Sequence, residues 1–186
     1  MKQVIRIIGG LYRGKKIHFP EVEGLRPTPD RVRETLFNWL MNDIKNARCL
    51  DAFAGSGVLG LEAYSRGASQ VVFIEQSPKA HASLQKIIHQ FDSSNLKLIK
   101  TDTLNYLKQN TEQFDIIFLD PPYALNYISQ CLDYIVKNNL LSHGGLIYIE
   151  SSTPIELKAD YWKQLKLKQA GQVIYGLFEK LEPTIS

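Results

Sequence analysis

The stretch FDIIFLDPPY, residues 114–123, runs a string of apolar residues into an acid, two prolines and an aromatic. Proline has no backbone N–H and a fixed φ, so Pro121 and Pro122 end a strand and stiffen the turn after it. In an open α/β sheet, ligands bind outside the carboxyl ends of the strands, so Asp120 would project toward whatever is held there. An exocyclic amine on a nucleobase is a weak nucleophile because its lone pair is delocalised into the ring. It attacks an electrophilic carbon when acceptors take both N–H groups and aim the nitrogen. Asp120 Oδ and the Pro121 carbonyl are two such acceptors, and Tyr123 offers a face on which a base can stack. A base in folded or duplex nucleic acid must be flipped out to arrive there. A carboxylate offers acceptors only, which suits the N1–H and N2–H edge of guanine and not the acceptor N1 of adenine.

A second stretch, LDAFAGSGVLGLEA (50–63), sets Gly55, Gly57 and Gly60 in G-x-G-x-x-G spacing between a short apolar run and a helical pattern. Glycines let the backbone turn tightly and a ligand come close, and a helix N-terminus offers free N–H groups. The pattern serves a dinucleotide or S-adenosylmethionine alike. Asp51, just ahead of the loop, favours the second: a carboxylate attracts the cationic amino end of a methionyl group and repels a pyrophosphate. Glu75 closes the next strand, where it suits the ribose hydroxyls of either ligand. Asp102, in KTDTL, is placed either to accept from an adenine amine or to cap the following helix.

These residues need a scaffold, and the chain supplies one. CLDAF, QVVFIE, LKLI, DIIFLD and GLIYIE are five apolar runs without polar alternation, as expected of strands covered on both faces. Helical patterns at 58–66, 78–91, 103–110 and 127–137 alternate with them, which predicts a doubly wound α/β sheet. KLKQAGQVIYGLFEK (166–180) reads as two further strands forming a terminal hairpin around Ala170–Gly171. Ahead of this, VIRII (4–8) and KKIHF (15–19) predict a β-hairpin with basic residues near its turn. In RPTPDRVRETLFNWLMND, Thr28 can cap a helix, Pro29 suits its first position and Asp30 its first turn.

Among the 186 residues, 44% are hydrophobic, enough for one well-buried core. No apolar run is long enough to span a membrane, and MKQVIRIIGG lacks a signal peptide's apolar stretch, so a soluble cytoplasmic protein is expected. Cys49 and Cys131 show no metal spacing and are expected to be reduced, partly buried thiols; no metal is expected at His18, His81, His89 or His143 either. Charge is uneven. Residues 1–33 hold eight basic side chains against three acidic ones, while the remaining 153 hold 14 against 16. A basic arm on a near-neutral body is the footprint of polyanion binding.

The glycine loop followed by Asp-Pro-Pro-Tyr resembles the amino-group methyltransferases that use S-adenosylmethionine. RIIGGLYRGKKI, GLRPTPDRVRETLFNWL, LDAFAGSGVLGLEAYSRGA and FLDPPY together resemble, in order and spacing, the RsmD family of bacterial small-subunit rRNA guanine-N2 methyltransferases. The resemblance implies a Rossmann-like methyltransferase fold: a seven-stranded, mostly parallel sheet with an antiparallel terminal hairpin, preceded by a β-hairpin and helix. It divides the chain into a basic hairpin and closing helix at 1–44 and a methyltransferase domain at 45–182. It implies methylation of one guanine N2 amine in 16S rRNA, guanine 966 in that family, within the small subunit or an assembly intermediate. By the same resemblance, Asp120, Pro121, Pro122 and Tyr123 would hold the base. Arg26, Thr28, Asp51, Ala54, Gly55, Gly57, Glu75, Asp102 and Thr103 would bind S-adenosylmethionine, with Arg26, Pro27 and Thr28 lying over it. Arg6, Arg13, Lys15, Lys16, Arg31 and Arg33 would contact RNA. Ala52 departs from the pattern, where a larger aliphatic residue is usual.

Two other readings stay open on the residues alone. One is an adenine-N6 methyltransferase acting on DNA or RNA; acting on DNA, it would require an inserted target-recognition segment, for which the chain leaves little room. A non-catalytic rRNA-binding assembly factor would have no use for Asp51, Glu75 and Asp102.

Overall fold

The computed structural model describes residues 2–91, 93–122 and 127–182. Strands β1 (Lys2–Arg6) and β2 (Lys16–Pro20) form an antiparallel hairpin in which Arg6 faces Lys16. After α1 (Asp30–Trp39) strands and helices alternate: β3 (Arg48–Asp51), α2 (Val58–Ser65), β4 (Gln70–Ile74), α3 (Pro78–His89), β5 (Leu96–Ile99), α4 (Thr103–Gln109), β6 (Phe114–Leu119) and α5 (Tyr127–Lys137). The chain ends in β7 (Leu141–Ser151), β8 (Trp162–Ala170) and β9 (Val173–Lys180). Seven strands form one sheet in the order β5-β4-β3-β6-β7-β9-β8. Neighbours from β5 to β7 run parallel, and β9 pairs antiparallel with β7 and β8.

The absence of polar alternation in the strands now has a structural reason. Side chains alternate between the two faces of a strand, and here both faces are apolar. Cys49, Val71, Phe73, Ile116, Phe118, Leu146 and Tyr148 join a core on one face with residues of β1, β2, α1, α2 and α3. Leu50, Val72, Ile74, Ile117, Leu119, Ile147 and Ile149 join a second core with α4 and α5. Each fully buried Leu, Ile or Phe contributes about 1.5–3 kcal/mol relative to exposure.

Two details differ from the expectation. Thr28 does not cap α1: Pro29 holds the N-cap position and no side chain caps there. Strand β7 begins at Leu141, ahead of the GLIYIE run, because Leu141 pairs with Phe114 across an irregularity in the β6–β7 register. Cys49 and Cys131 are free and buried. Trp162 is buried, and Trp39 stacks on Tyr175 with ring centroids 5.5 Å apart. Among the described residues no helix is long and apolar enough to cross a membrane.

The N-terminal hairpin is fastened to α2 by buried charge. The Glu62 carboxylate, with a side chain 0% exposed, accepts from the backbone N–H of Ile8 at 3.0 Å and of Gly9 at 2.8 Å. It also pairs with Arg66 Nε at 2.8 Å and with Arg33 at 3.3 Å. Arg33 is itself buried, donates to the Arg6 carbonyl and bonds Asp30. At the turn, Leu11 N–H donates to the Ser65 carbonyl at the last residue of α2. The approach demands glycine: a Cβ at Gly10, where φ is +78°, would lie 1.9 Å from that carbonyl oxygen. Substituting Glu62→Gln removes the buried carboxylate that Arg33 and Arg66 share, leaving Arg33 with Asp30 alone. It should lower unfolding stability by about 3 kcal/mol, measured by urea denaturation; a change below about 0.5 kcal/mol would show that the pairing is dispensable.

Candidate active site

The strand order reverses between β3 and β6, and a cleft of about 560 Å³ opens there beyond the carboxyl ends of the strands. Its walls come from the 22–29 segment, the loop after β3, the end of β4, Pro121 and Pro122 after β6, and the end of β7.

The loop after β3 is held in shape by acids. Glu75 accepts from Gly55 N–H at 2.8 Å and from Ser77 N–H at 2.7 Å. Gly57, the N-cap of α2, has φ +77°, and a Cβ there would lie 2.4 Å from Leu84 Cδ1. Asp51 accepts from Gly60 N–H in the first turn of α2 at 3.0 Å. That N–H is one a phosphate would otherwise use. The helix terminus is therefore already occupied by a carboxyl group, and a pyrophosphate brought here would find that N–H taken. A ligand carrying a cationic sulfur and an ammonium group fits the same surroundings, so the donor set suits S-adenosylmethionine and not a dinucleotide.

Three carboxyl groups stand side by side. Asp51, Asp120 and Glu150 follow buried residues of β3, β6 and β7, and alternation turns all three toward the face that carries α1 and α2. Since Leu119 pairs with Ile149, residue 120 just past β6 lies level with residue 150 near the end of β7. The Thr28 hydroxyl lies between them, 3.5 Å from Asp120 Oδ2 and 3.2 Å from Glu150 Oε2. This is where its capping capacity has gone. Tyr148 OH donates to the same Glu150 oxygen at 3.0 Å. Burial, with the negative neighbour Glu75 and against the bond from Gly60, pushes Asp51 up to about 7. Burial and then the charges of Glu150 and Asp51 hold Asp120 well above the carboxylate range, offset partly by the Thr28 hydrogen bond. Glu150 is raised chiefly by burial, with the Tyr148 and Thr28 bonds opposing.

Of the residues singled out from sequence, Arg26, Thr28, Asp51, Ala54, Gly55, Glu75, Thr103, Asp120, Pro121 and Pro122 line the cleft. Gly57 shapes the loop from behind the wall. Asp102 is not on the wall; it caps α4, accepting from Asn105 N–H at 3.0 Å. Tyr123 lies outside the described residues. Arg33, expected at RNA, is instead 0% exposed and committed to Glu62 and Asp30, so it has no surface to offer a phosphate. Arg6, Arg13, Lys16 and Arg31 are exposed, and Lys15 is half-buried over Phe91. They do not form one patch beside the cleft. Arg6 and Lys16 line a smaller cleft of about 360 Å³ against Pro27–Asp30. The turn bearing Arg13 sits at the C-terminal end of α2, one helix length (~12 Å) from the glycine loop. Glu150 went unnoticed in the sequence, although GLIYIE ends on an acid at a strand's carboxyl end, the same signal that marks Asp51, Glu75 and Asp120.

The family model described as "Conserved hypothetical protein 95" matches residues 5–179. The chain belongs to that family. A relative from Haemophilus influenzae named "Ribosomal RNA small subunit methyltransferase D" is 43% identical over 183 residues, covering 96% of this chain and 95% of the relative. The Escherichia coli protein of the same name is 40% identical over 178 residues, covering 95% and 90%. These are the RsmD proteins that the sequence resembles. The solved structure of Escherichia coli yhhF superposes with a TM-score of 0.88 at 39% identity, covering 96% of this chain and 98% of that one. The fold of this family is thus the S-adenosylmethionine-dependent methyltransferase fold expected from the motifs.

A raised carboxyl pKa has a thermodynamic consequence. Between its ordinary value of 3.8 and about 7, folded Asp51 keeps a proton that the unfolded chain releases. The folded state then binds more protons, so stability falls as pH rises through this window. Urea midpoints of the ligand-free protein should decline from pH 4.5 to pH 7.5, and Asp51→Asn should flatten the decline. A wild-type midpoint that rises across this range would contradict the carboxyl cluster's protonation.

Proposed function

We propose that the protein methylates the exocyclic N2 amine of one guanine in small-subunit (16S) rRNA, using S-adenosylmethionine and a flipped base. The observation that carries this reading is the placing of Asp120 and Pro121 on the wall shared with Asp51 and the glycine loop. The family and its rRNA methyltransferase relatives support the substrate class.

Asp51, Ala54, Gly55, Glu75 and Thr103 would hold the cofactor, with Arg26 and Thr28 covering it from the N-terminal side. When bound, S-adenosylmethionine supplies a methyl group on a positively charged sulfur that becomes a neutral thioether as the amine's new N–C bond forms. Asp120 Oδ and the Pro121 carbonyl take the amine's N–H groups and aim its lone pair. Pro121 and Pro122 keep these acceptors from drifting, and the family resemblance would give Tyr123 the role of stacking on the base. Stable folding depends on residues 1–44 as well as 45–182, but their division of labour is distinct: the first carries RNA and covers the cofactor, the second performs the transfer. Arg6, Lys16 and Arg31 meet phosphates near the cleft, and Arg13 and Lys15 meet RNA farther along its backbone, positioning it without reading sequence. The enzyme works in the cytoplasm on an assembled or assembling small subunit.

Methyl-labelled S-adenosylmethionine incubated with small subunits and with deproteinised rRNA, followed by nucleoside analysis, should yield N2-methylguanosine. N6-methyladenosine would replace the base assignment, and no labelled nucleoside from either substrate would end the proposal. Asp120→Ala should cut turnover by about 10²–10³-fold while cofactor affinity by calorimetry changes by less than about threefold. Equal losses in both would move Asp120 from the base to the cofactor. Replacing Arg6 and Lys16 together with Ala should lower the slope of log K against log salt by about 2; an unchanged slope would remove the hairpin from the RNA interface.

A further inference from the structure

The contacts around Thr28 contain one hydrogen too few. A threonine hydroxyl has a single O–H and two lone pairs, yet it lies within reach of Asp120 Oδ2 and Glu150 Oε2 at once. It can donate to one carboxyl group only. For both contacts to be hydrogen bonds, the other carboxyl must itself carry a proton and donate to Thr28. Glu150 Oε2 also receives Tyr148 OH, so it is the better-solvated anion of the two. The groups facing this pair from the packed elements are Asp51 on β3, Tyr148 on β7 and Tyr175, which pairs with Glu150 across β7 and β9. None is a cation, and among the described residues no lysine, arginine or histidine forms an ion pair with either carboxyl group. A shared proton is the positive charge available to them in the free protein; its release to water ionises Asp120 ahead of methyl transfer and sets the acid limb of the pH profile.

We infer that Glu150 is the outlet for the proton that Asp120 takes from the base amine, with the Thr28 hydroxyl as the bridge between the two carboxyl groups. This rests on the methyltransferase reading above. As the amine gains its bond to carbon, its nitrogen sheds one proton, and the N–H electron pair stays on nitrogen. Asp120 receives that proton and passes it to Thr28 Oγ1, whose own hydrogen moves to Glu150 Oε2. One proton leaves nitrogen, one arrives at Glu150, and threonine is unchanged. Glu150 lines the cleft, so it returns the proton to water when the product leaves. Asp120 is thereby restored as the acceptor-only group that the next amine needs. Glu150 acts through Asp120 and is a positioning residue in that sense; it touches neither base nor methyl group.

The test compares Glu150→Gln, Thr28→Val and Thr28→Ser in single-turnover methyl transfer across pH, with melting temperature and circular dichroism as controls for folding. Glu150→Gln should slow transfer about 10²-fold and move the acid limb of the profile to lower pH, because a neutral amide no longer opposes ionisation of Asp120. Thr28→Val should slow it comparably and move the limb to higher pH, because Asp120 loses the hydrogen bond that favours its charge. Thr28→Ser should fall between wild type and Thr28→Val. A Glu150→Gln enzyme with wild-type rate and limb overturns the inference. A second readout needs neither RNA nor turnover: infrared titration of the free Asp51→Asn protein, which lacks the raised Asp51 carboxyl, should show a protonated carboxyl group persisting above the usual carboxylate range, shifted down when Glu150→Gln is added. Its absence from Asp51→Asn also overturns the inference, whatever the activity. If that signal is present while wild type methylates no rRNA or subunit, the shared proton is supported and the rRNA reading alone fails.

Discussion

Carboxyl groups that end neighbouring parallel strands repel one another, and this repulsion is the constraint around which the site is built. Adjacent strands lie about 4.8 Å apart. Two unit negative charges at about 5 Å, in an effective dielectric of about 20, oppose each other by about 3 kcal/mol. Asp120 and Glu150 accept this cost on β6 and β7, with Asp51 one strand further on. The repulsion is relieved by protons, by hydroxyl donors or by an incoming cation. Thr28 and Tyr148 supply the donors, and the cofactor's sulfonium and ammonium would supply the cation. A site that is uncomfortable when empty thus favours the charged donor over its neutral product.

The rest of the fold determines where these groups can be. Alternation along each strand puts residues 51, 120 and 150 on one face, and the apolar residues before them fix the register by filling both cores. Helix α1 packs on that face, with Phe37 against Phe118 at 6.0 Å, and brings the preceding Thr28 over the strand ends. The hairpin is tied in because Arg33 reaches from α1 to hold the Arg6 carbonyl and Glu62. A single chain of contacts runs from the basic hairpin through Arg33 and α1 to the hydroxyl between the carboxyl groups. Loosening it at Glu62 would disturb the cleft from a distance without touching any ligand.

Much of this was legible in the residues because the relevant signals are local. The strands and crossover helices follow from apolar runs and their spacing, and the glycine loop and the paired prolines carry their backbone requirements in their own side chains. What was not legible depends on which partner a polar group finds across the fold. Thr28 reads as a helix cap because its neighbours Pro29 and Asp30 suit a helix start, yet two carboxyl groups 92 and 122 residues away claim its hydroxyl. Arg33 reads as a surface cation because it stands in a basic segment, yet Glu62 draws it into the core. Glu150 carried a readable mark, an acid at a strand's end, but the strand comes after the Asp-Pro-Pro-Tyr element and drew no attention from a nucleotide-binding pattern.

The placing of opposite charges also separates the two ligands this site must handle. Acids line the inside of the cleft, with exposed Arg26 at its wall and Arg6 and Lys16 on the far side of Thr28. A polyanion meets attraction at the rim and repulsion within, so its phosphates stay outside while only an uncharged base can enter. A small cation meets the reverse. Were the basic residues gathered inside the cleft, phosphate would compete for the cofactor's place; were the acids at the rim, RNA would be turned away. Burial of Arg33 is consistent with this arrangement, because it withdraws one positive charge from the region behind the carboxyl groups and commits it to holding the hairpin. On the proposed reading, electrostatic sorting would let one opening take a cationic donor and an uncharged base.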